Sequence, residues 1–334
     1  MPAVAADLLE LLACPSCRSP LRDLACPTCR ARYDAPNGIP RLRGPTDARS
    51  EAVRRFYASS PFPGYAPGES LSSLRARARR SEFARLLNEA IAPDALVLEM
   101  GCGTGQMSLF LASADRRVVA ADLSRPSLEL GADAARRFGL DQILFVETDL
   151  QMPGVRAAAF DVVYCSGVLH HTPDPRRSFA ATSRLVRPGG FLVVGLYNAF
   201  ARIPHGVRRT LSRLTGVDPT VLDPVLQDRR SQPGRREAWL RDQYQHPEEH
   251  WHTLAEVKRW FRENDIAYLR SYPAALLSAP MREHLFSPID DAWWVEELLV
   301  QASWTMKLSH EGGLFVVIGR RGVEPIVTGT QPKS

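Results

Sequence analysis

Short apolar runs recur along the chain, each bounded by turn residues. They read ALVLEM (95–100), VVAAD (118–122), ILFVET (143–148), DVVYCS (161–166), GFLVVGLY (190–197), AYLRSYP (267–273) and GLFVVIG (313–319). Their length and β-branched content predict strands buried on both faces, as in a parallel sheet. Between them lie stretches of helical period. In residues 71–91, Leu74, Ala78, Phe83, Leu86, Leu87 and Ile91 fall on one face and predict a single amphipathic helix. Its basic run at 75–80 reads as a solvated face. In 253–266, Leu254, Val257, Trp260 and Phe261 share a face, and Thr253 with Glu256 forms a capping-box pattern. Strands alternating with helices predict a doubly wound α/β sheet.

Two segments exceed what such a sheet needs, 200–250 and 274–311. Excess chain beside a sheet edge predicts lid-like insertions. The first is rich in arginine and holds Tyr244, His246 and His250, with His252 just after it. The spacing of His246 and His250 allows a second metal site. The same residues also suit a substrate pocket, or packing before the capped helix. Trp293, Trp294 and Trp304 in the second segment suit core or lid packing.

Four of the six cysteines lie close together, as C-P-S-C at 14–17 and C-P-T-C at 26–29. Paired C-x-x-C units match the needs of tetrahedral zinc, with two thiolates from each knuckle. Cys14, Cys17, Cys26 and Cys29 are therefore candidate ligands of one structural Zn²⁺. Cys102 and Cys165 stand apart and read as space fillers. The words LLACPSCRSPLRDLACPTCRARYDAPNGIPRL (11–42) resemble the short zinc-ribbon proteins that partner and activate methyltransferases. A Pro/Gly/Ser-rich join follows, at 44–50 and 58–73. The expected organisation is a zinc ribbon at 1–43, a linker with helices at 44–91, a catalytic domain at 92–321 and a flexible tail at 322–334. No ligand comes from the catalytic domain, so the ribbon and that domain are expected to be separable.

After the strand at 95–100 comes Gly101-Cys102-Gly103-Thr104-Gly105 and then a helix. Gln106 breaks a dinucleotide fingerprint, and the P-loop pattern is absent. The pattern is E-x-G-x-G-x-G, with Glu99 two residues before the first glycine. It suits a ligand with an amino-acid head and an adenosine tail. Glycines admit close backbone approach, and Glu99 attracts a cationic amine. Here the chain resembles the class I S-adenosylmethionine (SAM)-dependent methyltransferases over about 93–200. VLHHTPDP and SRLVRPGGFLVVGLYN resemble its small-molecule, quinone-methyltransferase-like branch.

That resemblance implies a seven-stranded sheet with the last strand antiparallel. It also implies SAM contacts from Glu99, Gly101, Gly103, Gly105, Asp122, Leu123, Asp149 and Leu150, with Asp122 at the ribose and Asp149 near the adenine. His170 and His171 follow the fourth strand and are candidates for a catalytic base. Tyr244, His246 and His250 are candidate substrate residues. The expected reaction is methyl transfer to O, N or C of a small-molecule acceptor. The alternatives are a tRNA or rRNA methyltransferase and a non-catalytic SAM-binding adaptor.

Net charge is +5, but only Lys258, Lys307 and Lys333 among the 42 basic residues are lysine. An arginine bias of this kind follows genome composition, so the charge argues little for nucleic acid. Without a signal sequence or a long apolar run, the expectation is a cytoplasmic protein with no membrane partner.

Overall fold

The computed structural model describes residues 4–45, 47–58, 61, 64–65, 68–228, 233–278, 284–290, 292–308 and 312–322. The tail expected at 322–334 lies outside them except for Gly322. The apolar runs become β2 (Leu96–Met100), β3 (Arg117–Asp122), β4 (Ile143–Thr148), β5 (Phe160–Ser166), β6 (Val186–Tyr197), β7 (Ile266–Tyr272) and β8 (Leu314–Arg321). β1 (Arg41–Leu42) adds an eighth strand at the edge, pairing in parallel with Glu147 and Thr148 of β4. The order is β1-β4-β3-β2-β5-β6-β8-β7, with β8 antiparallel to both neighbours. The sheet expected with seven strands thus has eight, because the end of the N-terminal region continues it by two residues.

Side chains alternate between two cores, as the strand period of two requires. Val97, Val118, Ala120 and Phe145 face α3 (Leu71–Arg80), α4 (Glu82–Ala90), α5 (Gln106–Ala112) and α6 (Arg125–Phe138). The helix expected at 71–91 breaks at Ser81, whose hydroxyl accepts from Ala84 N at 3.4 Å and starts α4. Its basic run is partly anchored: Arg75 donates to Ser113 Oγ at 3.0 Å and Arg77 to Gln106 Oε1 at 3.0 Å.

Leu96, Leu98, Val119 and Val146 face the other way, towards α7 (Pro175–Ser183) and α12 (Leu254–Glu263). Thr253 caps α12 by accepting from Glu256 N at 3.3 Å, while the Glu256 carboxylate pairs with His252. The connection from β4 to β5, residues 149–159, contains no helix. A parallel crossover is usually helical and covers the sheet. Here α1 (Val4–Leu9) and the cysteine knuckles stand in its place. Leu8, Leu12, Leu21 and Leu42 share one core with the strands. Ala13 N donates to Gly154 O at 3.0 Å, and Arg156 N to Leu11 O at 2.8 Å. The N-terminal module thus shares its core with the sheet and extends it by β1.

The excess segments fold as α8 (Ile203–Thr215), α9 (Pro219–Leu222), α10 (Pro224–Asp228) and α11 (Pro233–Leu240), and as α13 (Trp294–Lys307). The linker carries α2 (Ala48–Ala58). Among the described residues, no helix is long and apolar enough to cross a membrane.

Candidate functional site

A cavity of about 380 Å³ opens at the carboxyl ends of β2, β3, β4 and β5. This is where a doubly wound sheet reverses its strand order and leaves a crevice. The glycine turn forms one wall. Gly101 has φ +75° and Gly105 φ +77°, which a side chain disfavours. A Cβ on Gly101 would fall 2.3 Å from Val168. Gly101 N and Cys102 N donate to Ala121 O at 2.7 and 3.0 Å, fixing the turn to β3.

Asp122 ends β3. Its carboxylate accepts from Gly103 N and Ser124 N, each at 2.7 Å. Both bonds orient it and leave lone pairs for a ligand. Burial raises its pKa against those hydrogen bonds. Asp149, just after β4, accepts from Gln151 N at 2.7 Å, and burial raises it too. Leu123 and Leu150 add apolar surface beside the two acids.

Glu99 lies at the cavity floor with the Ser108 hydroxyl donating to it. Burial pushes its carboxyl up to about 8, and that hydrogen bond opposes the shift. At pH 7 such a group is largely protonated. An ammonium placed beside it favours the carboxylate, so binding must expel the proton. Affinity for a cationic amine should therefore fall as pH drops from 8 to 6. Calorimetry at pH 7 in buffers of different ionisation enthalpy should show about one proton released by the wild type. Glu99→Gln should release none, and equal release by the two would remove Glu99 from the site.

The far wall comes from 166–173, including His171. His171 Nδ1 lies 2.8 Å from Glu248 O. A carbonyl only accepts, so Nδ1 carries the proton in this contact. His246 lies against His171 with ring centroids 3.8 Å apart and planes tilted by 34°, and its Nδ1 accepts from Glu248 N at 3.1 Å. Phe56 and Tyr57 of α2 close on His246 at 4.9 and 5.4 Å. Arg49 of the same helix donates to both Glu248 carboxylate oxygens at 2.6 Å.

The candidate residues therefore divide. Glu99, Gly101, Gly103, Asp122, Leu123, Asp149, Leu150 and His171 line one cavity. Gly105 stands behind it as the N-cap of α5. His170 is fully buried and stacks on Tyr197 at 3.8 Å, behind His171. Burial holds its pKa well below the ordinary value, so it stays neutral. His250 is tied through its backbone, donating to His170 O at 2.9 Å. Tyr244 points to Asp223, to which its hydroxyl donates at 3.0 Å. Of the candidate substrate residues, His246 alone lies against a cavity residue.

Ser50, Val53 and Tyr57 of α2 also line the cavity. Sequence reasoning placed them in a linker. A linker with helices is what the sequence suggests at 44–91, and nothing local says that one of them folds over the site.

Outside the cavity lining, the four knuckle sulfurs lie within 4.8 Å of one another. Cys14 and Cys29 approach to 3.5 Å, Cys17 and Cys26 to 3.3 Å. Thiolates held about 2.3 Å from a tetrahedral zinc have mutual distances near ~3.8 Å, so the donor set fits. No other histidine, cysteine or carboxylate group among the described residues gathers in this way, the 246–252 histidines included.

Residues 98–194 match the family model described as a methyltransferase domain. The 27-O-demethylrifamycin SV methyltransferase of Amycolatopsis mediterranei is 27% identical over 232 residues, 67% of this chain and 84% of that protein. A ubiquinone biosynthesis O-methyltransferase of Xanthomonas oryzae is 35% identical over 108 residues, 31% of this chain and 44% of that protein. The chain spans about half the length of several of the curated relatives it matches. Among solved structures, PKMT2 from Rickettsia typhi in complex with AdoHcy aligns with a TM-score of 0.51 at 13% identity. That alignment covers 75% of this chain and 54% of that one, and speaks for the fold.

Proposed function

We propose that this chain, which carries a SAM-dependent methyltransferase domain at residues 98–194, transfers methyl groups to a small-molecule acceptor. The observation that carries the reading is the single cavity in which Glu99, the glycine turn, Asp122 and Asp149 face His171. The acids suit the amine, ribose and adenine of SAM, in that order along the sheet. Bound there, SAM supplies an electrophilic methyl group on a sulfonium. The protein has then to align an acceptor, exclude water and remove a proton where the acceptor carries one.

His171 suits the last task. It lines the cavity opposite the acids, and its Nδ1 contact with Glu248 O holds the ring in place. His246 packs against the ring. α2 covers the cavity and limits water, held by the Arg49–Glu248 pair. The apolar parts of the lining outside the expected SAM contacts, Val53, Met107 and Val168, favour a small-molecule acceptor with an apolar portion. Names of relatives that act on a rifamycin and in ubiquinone biosynthesis support the same class.

One Zn²⁺ held by Cys14, Cys17, Cys26 and Cys29 is part of the proposal. With four thiolates it offers no open position, so its contribution is a cross-link between the two knuckles.

The test uses methyl-labelled SAM with small-molecule, RNA and protein fractions of an extract. Label should enter the small-molecule fraction. His171→Ala should reduce that incorporation about 10²-fold or more while SAM affinity holds. Label confined to RNA or protein, or absent from every fraction, would refute the proposal. Unchanged incorporation by His171→Ala would leave alignment as the whole mechanism.

A further inference from the structure

α2 covers the cavity yet carries almost no core of its own. Of its eleven residues only Ser50 is buried. By contrast α12, of ten residues, buries Leu254, Val257, Lys258, Trp260 and Phe261. A segment with few buried apolar contacts opens at low cost, as lids over reaction sites do.

The side chains of α2 converge on one distant segment, 241–248. The Arg49 guanidinium donates to both carboxylate oxygens of Glu248 at 2.6 Å. Paired forks of this kind are strong and fix direction. Arg241 lies over the Phe56 ring at 5.4 Å. Phe56 meets His246 edge-on at 4.9 Å, and Tyr57 lies tilted against it at 5.4 Å.

Glu248 then reaches the cavity wall through its main chain. Its carbonyl oxygen accepts from His171 Nδ1 at 2.8 Å, and its N–H donates to His246 Nδ1 at 3.1 Å. His246 in turn lies 3.8 Å from His171 between ring centroids. Two routes therefore join α2 to one ring, Arg49–Glu248–His171 and Tyr57–His246–His171. Both ends of the second route, Tyr57 and His171, belong to the cavity wall.

We propose that Glu248 is a positioning residue. Its carboxylate latches α2 over the cavity while its main chain sets the His171 ring, so the ring takes its working place only under a closed lid. An exposed ion pair is ordinarily worth little, and Arg49 is 56% exposed. This pair differs because one partner carries two main-chain bonds to the rings beside the cavity. When Arg49 lets go, the backbone at 248 loses its tether and His171 loses a fixed acceptor. The consequence for catalysis rests on His171 serving methyl transfer; the coupling itself does not.

The first test needs no reaction. It is ¹⁵N-edited NMR of the imidazoles in the full chain, with His171 assigned by its absence from H171Q. At about pH 8 an ordinary imidazole is neutral. The wild-type His171 ring should there carry its proton on Nδ1. In R49A and in E248Q the signal should move to the Nε2-protonated or averaged form. An unchanged signal in both would overturn the proposal. The second test reads label transfer from methyl-labelled SAM to the small-molecule fraction. R49A and E248Q should each lower the rate at saturating SAM at least about tenfold, with KM for SAM changed less than about threefold. The R49A/E248Q double variant should be no slower than the slower single, because both remove the same latch. Singles at the wild-type rate, or a double variant slowed by the product of the two, would overturn the proposal. Absence of label with the wild type would instead refute the reaction, and the ring signal alone would then decide the coupling.

Discussion

Cys26→Ser is expected to cost the protein its SAM site as well as its metal. Cys26 supplies one of the four knuckle sulfurs and is buried in the same core as Leu8, Leu12 and Leu42. Three thiols and a hydroxyl hold zinc poorly, and a module this small has little other cohesion. The loop after β4 begins with Asp149, Leu150 and Gln151 in the cavity wall. A few residues on, it is bonded to the N-terminal module through Gly154 O and Arg156 N. Gly154 also packs on Leu42, which a Cβ there would meet at 2.4 Å. Releasing the module frees that loop and uncovers the sheet. Loss of burial for Leu8 and Leu12 alone costs about 3–6 kcal/mol. That is a large share of the roughly 5–15 kcal/mol typical of a domain. Metal analysis, a thermal melt and a SAM titration on this variant should show zinc lost, a much lower melting temperature and weakened SAM binding together. Zinc lost with melting and SAM affinity unchanged would show that the module is an appendage.

Gly101→Val should abolish SAM binding at accessible concentrations, a loss of more than about 100-fold, or about 2.8 kcal/mol. The residue has φ +75°, where a β-branched side chain is strained. Its side chain would also enter the space of Val168, whose atoms lie 2.3–2.9 Å from the Cβ position. Val168 is itself cavity wall, so relief of the clash moves the wall into the cavity. The far-ultraviolet spectrum should remain that of the folded protein, because the sheet lies behind the turn. Wild-type affinity in this variant would mean that SAM does not approach the glycine turn.

The sheet and the acids that line the cavity were legible because local chemistry specifies them. A buried parallel strand is a continuous apolar run. Asp122 follows its run immediately, and the C-x-x-C pairs carry their own geometry. What could not be read depends on contacts far apart in sequence. His170 and His171 are adjacent, yet one 3-10 turn sends His171 to the cavity and His170 behind it. Tyr244 and His246 are two apart and go to Asp223 and His171 respectively. α2 reads as a linker helix until Arg49 meets Glu248, 199 positions away. The missing crossover helix is visible as a short gap at 149–159, but the identity of its replacement is not. α8 has the period of an ordinary amphipathic helix, yet Ile203, Val207, Leu211 and Leu214 face outward, because Arg202–Glu249–Arg209 and His205–Gln243 hold its polar face inward.

The central claim is that Asp122 and its neighbours hold SAM, and a calorimetric SAM titration of wild type against Asp122→Ala tests it most directly. The Asp122 carboxylate already accepts from Gly103 and Ser124, so its removal loosens the glycine turn and deletes the ribose contact at once. The wild type should bind one SAM per chain, and Asp122→Ala should bind more weakly by roughly 1–3 kcal/mol. Equal affinities in the two proteins, or no binding by the wild type, would contradict the account.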